Sequence, residues 1–588
     1  MCGIAGLLLP DGQVPSQNVL ESFKTALHHR GPDDAGEVLF HSAALVHTRL
    51  SIIDVRGGHQ PLTSPSGAHL VVNGEIYNYI ELRQKYQDYP FTCQSDAEAI
   101  LPLYHEKGEE TFTEDLRGMY AFCLYDATRN RALLSRDRFG IKPLYYMSLA
   151  EGGVAFASEA SALLSSGLTP RIINPAARAE ALQMGFTIND KTVTGFIKRV
   201  LPGETLVIEK GKIVARYKQA PPLYKPKKTT EKMYLDSLEA TLRDSVRVHL
   251  RSDVPYGLFL SGGLDSATLL KLMTEESDQP VKTYTIGFSG TGVHDERDQA
   301  KRLSDHFQSD HTELDFSEKD FWQLLPFVAQ TADDLNFDQA MLPTYKLASV
   351  AAKDLKVVLS GEGGDELFAG YRRYQKALRP WFMGPYTPRK KGFFDRLKKQ
   401  TFPHLSGWRH DFGQLENLTS QKSLSKLRYQ LSLDQASWLP NDLLLKLDRC
   451  LMAHSLEGRT PFLDPIVQDF TASLPDHFLV RKQYGKWIMR RWLAKSLPES
   501  QPFEKKKGFR VPVGEWISAR GPRLASLVAR QDGIEEIMPY EQVKAIFLGT
   551  DDRTLFAAWQ LLFYAVWHQI HINGKEPVPD TLSMLAKC

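Results

Sequence analysis

Short apolar or alternating runs recur through the first two hundred residues, at Ala43–His47, His69–Val72, Met119–Asp126, Arg131–Arg136 and Gly153–Ser158, with Gly, Pro and Asn between them. Runs of this kind predict strands, and their close spacing predicts packed antiparallel sheets. The pattern then breaks. Lys218–Lys232 (KQAPPLYKPKKTTEK) is rich in proline and lysine and poor in apolar residues, as a linker would be. Beyond it, Leu235, Leu238, Leu242 and Val246 recur three or four apart, which predicts an amphipathic helix. Strand-like runs at Tyr256–Leu260, Val281–Phe288 and Val357–Ser360 alternate with helical stretches from Ala267 onward and over Glu296–Phe307. That rhythm predicts a doubly wound parallel sheet. Past about Lys376 the pattern is mostly helical, and no internal repeat is visible.

These shifts divide the chain into residues 2–215, a linker over 216–232, and residues 233–588. A length of 588 residues agrees with two or more domains. The charge is nearly balanced, 72 Lys+Arg against 70 Asp+Glu, so nothing marks a nucleic-acid or anionic-membrane partner. No apolar run approaches the ~20 residues of a membrane helix. The start, MCGIAGLLLPDG, has no basic leader and predicts no signal peptide. Five cysteines, odd in number and widely spaced, form no metal-ligand pattern and fit a reducing cytoplasm.

Candidate chemistry changes the picture at two places. The first is Cys2. If Met1 is removed, Cys2 carries its own α-amine, which titrates near ~7.7–8.0 and can serve as base toward the thiol. A thiolate attacking an amide also needs oxyanion donors and a clamp for charged substrate ends. Arg49 offers a guanidinium, Asn73-Gly74-Glu75 an amide, a backbone N–H and a carboxylate, and Ser95-Asp96 a second carboxylate. The second place is LSGGLDSA (Leu260–Ala267), between a predicted strand and helix. Its glycines permit close backbone approach to a phosphate, and the helix start adds N–H donors. It lacks the lysine of a Walker A loop. On mechanics alone it could equally be a plain strand-to-helix turn.

The strings themselves are more specific. MCGIAG, HRGPDD (His29–Asp34), HTRLSIID (His47–Asp54), NGEIYN (Asn73–Asn78), SDAEAI (Ser95–Ile100) and RDRFGIKPLYY (Arg136–Tyr146) occur in the order seen in class II glutamine amidotransferases, which the first part of the chain resembles throughout. The resemblance implies a four-layer α/β/β/α N-terminal-nucleophile hydrolase fold over 2–215. It makes Cys2 the nucleophile, Asn73 and Gly74 the oxyanion hole, and Arg49, Leu50, Ser51, Ile52, Ile53, Asn73, Gly74, Glu75 and Asp96 the glutamine-binding residues.

SGG-x-DS resembles the pyrophosphate loop of ATP pyrophosphatases, and LSGEGGDELFAGY (Leu359–Tyr371) is a second glycine-rich loop. With WLPNDLLLKLDR (Trp438–Arg449), EGRTPFLD (Glu457–Asp464) and KKKGFRVPVGEW (Lys505–Trp516), the chain resembles the glutamine-hydrolysing asparagine synthetase family over nearly its whole length. That resemblance implies ATP and Mg²⁺. ATP would lie among Leu260, Ser261, Gly262, Gly263, Asp265, Ser266, Ile286, Ser360 and Gly361, with Asp265 and Asp365 as metal ligands. Glu362 would serve formation of a β-aspartyl-AMP intermediate, and Lys506, with Lys505 and Lys507 as neighbours in register, would neutralise the α-phosphate.

The implied substrates are glutamine, aspartate and ATP. An apolar internal passage for ammonia and a homodimer also follow from the resemblance. β-Lactam synthetases share the architecture but carry tyrosine at the position of Glu362 and lack the terminal cysteine. The stretch Asp333-Asp334-Leu335-Asn336-Phe337-Asp338 departs from the family's Asp-Glu-Pro-x-x-Asp, which opens the acceptor to carboxylates other than aspartate, in sugar or secondary-metabolite pathways.

Overall fold

The computed structural model describes residues 2–379, 382, 388–397, 401–419, 424–504, 508 and 510–586. Two six-stranded antiparallel sheets occupy the first part of the chain. One runs in the order Lys198–Arg199, Tyr145–Ser148, Val154–Ala157, Gly3–Leu8, Ala43–Arg49, Asp34–Leu39. The other runs Lys212–Lys218, Glu204–Glu209, Arg131–Arg136, Gly118–Asp126, Ala68–Ile76, Leu62–Thr63. Ile4, Leu45, Val71, Ala121, Leu134 and Phe156 fill the space between the sheets. Helices Gln17–Leu27 and Ala160–Ser165 cover the outer face of the first, and Ile100–Lys107 that of the second. This is the four-layer α/β/β/α sandwich.

Gly3–Leu8 shows why that strand has no alternating signature. Ile4 and Leu8 point between the sheets, while Ala5 and Leu7 point at the covering helices, so every position is buried. Side chains alternate between two faces, and when both faces are dry the sequence reads as continuously apolar.

Residues 219–230 have no regular structure, and the predicted amphipathic helix follows as Glu231–His249, with Thr230 accepting the Met233 N–H at its start. A five-stranded, all-parallel sheet comes next, in the order Asp310–Asp315, Lys282–Gly287, Tyr256–Phe259, Val357–Leu359, Glu457–Arg459. Successive connections leave the central strand Tyr256–Phe259 toward opposite edges. A crevice therefore opens at its carboxyl end, where open parallel sheets place ligands. The helix after it spans Leu264–Glu276, three residues earlier than periodicity alone indicates, because the cap is Gly263 and the first turn is polar. That shift puts Asp265 and Ser266 on the helix rather than in a loop.

The two parts share buried surface. Helix Pro175–Met184 buries Ala181 and Leu182 among Trp559, Phe563 and other residues of the second part, and Gln560 Nε2 donates to the Leu182 carbonyl at 2.9 Å. Buried ion pairs cross the same boundary: Arg30 to Asp448 at 2.8 Å and Arg199 to Asp334 at 2.5 Å. Arg449 holds Asp333 at 2.6 Å, and Asp333 in turn accepts the Ser161 N–H at 3.0 Å.

Candidate functional sites

The first site lies where the opening strand of one sheet meets Ala68–Ile76 of the other. The Cys2 backbone nitrogen lies 3.3 Å from Asn73 Oδ1, and the thiol faces the Leu50 carbonyl at 4.0 Å. Arg30 Nε donates to the Cys2 carbonyl at 3.1 Å, which fixes the backbone at Cys2. Burial pushes the Cys2 thiol up, while a backbone hydrogen bond from Leu50 and the charge of Arg49 pull it back. Asn73 is wholly buried, and its Nδ2 has no hydrogen-bond partner among the described residues. A buried amide donor left without an acceptor is what an oxyanion site needs. At Gly74 a Cβ would lie 2.1 Å from the Met119 carbonyl, so only glycine fits this close strand approach.

Around these atoms stand the charged groups. The Arg49 guanidinium is buried and anchored by its Nη2 on the Asp54 carbonyl at 2.7 Å. Asp96 accepts the Ile76 N–H at 2.7 Å and its carboxyl is pushed up to about 6, chiefly by burial. Glu75 is buried, and burial together with Asp96 and Glu457 drives it well above the usual carboxylate range. Two buried acids at one spot favour the neutral form until a cation joins them. Leu50, Ser51, Ile52 and Ile53 form a buried segment beneath Arg49. Ser51 N–H is held by Asp33 at 2.8 Å, and the Ile52 carbonyl by the Asp253 N–H at 3.0 Å.

The second site is a cavity of about 810 Å³ at the carboxyl end of the parallel sheet. Leu260, Ser261, Gly262, Gly263, Asp265 and Ser266 line it, as do Ile286, Ser360, Gly361, Glu362 and Asp365. The first loop closes on itself, with Ser266 Oγ donating to the Ser261 carbonyl at 2.9 Å. The second loop packs directly on it: a Cβ at Gly361 or Gly364 would lie within 2.8 Å or 2.5 Å of Asp265. Glycines here let two phosphate-type loops converge. Lys506 and its neighbours 505 and 507 lie outside the described residues.

Spacing alone did not point to the cations of this cavity. Lys486 is buried between the two loops and contacts both Asp265 and Asp365. Lys446 sits between Glu362 at 3.0 Å and Asp338 at 3.3 Å, and those carboxylates hold its ammonium above the usual lysine range against the cost of burial. Lys446 follows a π-helical turn over Leu439–Leu443 inside WLPNDLLLKLDR, a local irregularity of the kind that often marks a site. Of the divergent Asp333–Asp338 stretch, only Asp338 faces the cavity. Asp333 and Asp334 serve the buried ion pairs described above. Asn336 is turned away, its Nδ2 on the Asp442 carbonyl at 2.9 Å.

A second cavity of about 470 Å³ adjoins the first along Asp338 and Ala340, with Phe337, Phe393, Trp438 and Phe556 among its walls. Between the two sites, Ile52, Met119, Phe139 and Ile141 share one buried apolar cluster with Leu359, Leu444, Phe462 and Leu463.

Residues 237–569 match the family described as asparagine synthase, and residues 1–218 that described as a glutamine amidotransferase domain. The chain is 30% identical to the glutamine-hydrolysing asparagine synthetase 1 of Bacillus subtilis, over 99% of this chain and 99% of that protein. It is also 30% identical to the glutamine-hydrolysing asparagine synthetase B of Escherichia coli, over 90% of this chain and 86% of that protein. Among the described residues, no helix is long and apolar enough to cross a membrane.

Proposed function

The chain belongs to the glutamine-hydrolysing asparagine synthetase family, and from that premise we propose that it hydrolyses glutamine at Cys2 and uses ATP to amidate the side-chain carboxylate of aspartate. In the first half-reaction the Cys2 sulfur attacks the side-chain carbonyl of glutamine. Asn73 Nδ2 and the Gly74 N–H receive the developing oxyanion, the carbon–nitrogen bond breaks, and the nitrogen leaves as ammonia with the proton the thiol gave up, carried by the α-amine that removal of Met1 frees. Water then hydrolyses the thioester to glutamate. Arg49 takes the substrate's carboxylate, and Glu75 with Asp96 takes its ammonium.

In the second half-reaction the acceptor carboxylate attacks the α-phosphorus of ATP, pyrophosphate leaves, and ammonia displaces AMP. The observation that carries this reading is the placement of Glu362 and Lys446 in the same cavity as the Leu260–Ser266 loop. Lys446 and Lys486 each hold carboxylates that a polyanion would displace. Asp265 and Asp365 suit Mg²⁺. Two carboxylates leave the remaining positions to phosphate oxygens and water, and among the described residues no cluster of three or more ligating side chains competes. Bound there, the cation would neutralise phosphate charge. The apolar cluster between the sites supports transfer of ammonia unprotonated, because apolar walls offer it no proton.

A second reading, a larger carboxylate as acceptor, is favoured by one feature: the aromatic cavity that adjoins the first at Asp338 and Ala340. Pyrophosphate release from purified protein with ATP, Mg²⁺, glutamine and a panel of carboxylates tests both. Turnover with aspartate is expected. Turnover with another acid and none with aspartate would replace the named product.

A further inference from the structure

Nothing in these half-reactions uses the string EGRTPFLD, yet its Arg459 lies wholly buried between the two sites. Arg459 ends the strand Glu457–Arg459, whose neighbour Val357–Leu359 runs into Ser360, Gly361 and Glu362 of the nucleotide cavity. The Ser360 N–H donates to the Arg459 carbonyl at 2.9 Å. Its side chain reaches the other site. Nη1 donates to the carbonyls of His249 at 2.7 Å and Arg251 at 2.6 Å, and Nε to Glu457 at 2.6 Å, with the Tyr77 ring 5.8 Å away. That leaves Nη2, buried and with no hydrogen bond among the described residues, 3.4 Å from Glu75 Oε2, an oxygen equally buried and likewise without one among them. A guanidinium fixed by three bonds faces a carboxylate oxygen with capacity to accept a further hydrogen bond, as an ammonium group donates.

We propose that Arg459 is a positioning residue for glutamine, holding the Glu75 carboxylate in line for the substrate's α-ammonium group. This rests on the glutaminase reading above. The carboxyls of Asp96 and Glu457 face Glu75 together with Tyr77 and Tyr79, and Arg459, with the positive N-terminus, favours its ionised form. The second half of the chain thereby supplies a residue to the glutaminase pocket of the first.

The test compares hydrolysis of glutamine with that of glutaramate, the same amide without the α-amine, in wild type, Arg459→Met, Arg459→Lys and Glu75→Gln. Losing a charge-assisted contact is expected to lower kcat/KM for glutamine by about tenfold to a hundredfold in Arg459→Met, mainly through KM. Glutaramate hydrolysis should stay within about threefold, because its binding does not call on Glu75. Arg459→Lys should recover part of the preference for glutamine. Equal losses on both substrates would assign Arg459 a merely structural role and overturn the proposal. If Arg459→Met does not fold, the double variant Glu75→Gln/Arg459→Lys decides. Losses no greater than those of Glu75→Gln alone support one shared path, and additive losses overturn it. A wild-type protein that hydrolyses neither amide would instead refute the glutaminase reading, and this proposal with it.

Discussion

In the first pocket, Glu75 and Asp96 sit buried beside one another, and burial drives both toward the neutral acid. In the cavity of the second part, Asp265, Asp365, Glu362 and Asp338 each contact a lysine ammonium. Carboxylates are thus handled differently at the two sites: Glu75 has one guanidinium at 3.4 Å and Asp96 a backbone N–H, whereas each acid of the second cavity has a lysine. On the proposed reading, the first pocket keeps Asp96 and the Arg459-paired Glu75 for the ammonium of its ligand. On the same reading, the second cavity holds its lysines on acids, from which a polyanion would draw them. The same side-chain type therefore says little about a site until its counter-charges are known.

The largest effect expected is at Cys2. Cys2→Ala should lower glutamine-driven synthesis by at least about 10³-fold, as removal of a nucleophile does, and leave ammonia-driven synthesis in place. Surviving glutamine use would break the comparison at its root. Next, Lys446→Met should cut acceptor-dependent pyrophosphate release by about 10²-fold or more while sparing glutamine hydrolysis, because Glu362 and Asp338 lose their shared cation. A loss confined to glutamine hydrolysis would sink the assignment. Gly74→Ala is expected to reduce glutaminase kcat by about 10²-fold, since the added Cβ meets the Met119 carbonyl and moves an oxyanion donor.

A smaller effect should appear in pH profiles. Asp96 would hold an ammonium group only when ionised, and its carboxyl is raised from the ordinary value to about 6. The kcat/KM for glutamine should therefore be full above that pH and decline as pH falls through about 6, and Asp96→Asn should remove the limb attributable to this group. A profile flat down to pH 5 would dismiss the waiting-acid picture. Least affected should be the acceptor in Asp333→Asn. That residue is bound to Arg449 and Ser161, so thermal stability should fall while the KM for aspartate stays within about twofold. A large KM change would return the residue to the acceptor pocket.

Much of the fold was legible because periodicity reports which face is dry. The strands Ala68–Ile76 and Gly118–Asp126 and the helix Glu231–His249 stand close to where the pattern predicted them. Gly3–Leu8, Tyr145–Ser148 and Glu204–Glu209 did not announce themselves, being short or buried on both faces. For the sites, contiguous strings carried Cys2, Asn73–Glu75 and the Leu260–Ser266 loop, because a turn or strand edge presents consecutive residues to one ligand. Lys446, Lys486, Asp338 and Arg459 were not legible in this way. Each comes from a different element and gains its meaning from a partner far along the chain.

By itself, then, the sequence located the glycine-rich loops and, through the resemblance its contiguous strings carry, nominated Cys2 as nucleophile and Asn73-Gly74 as oxyanion segment. Tertiary structure alone decided which charges meet. It sent Asp333 and Asp334 to a buried interface and Asp338 to the cavity, and it laid Arg459 against Glu75. Coulomb energy depends on distance and burial, and neither is a property of position along the chain.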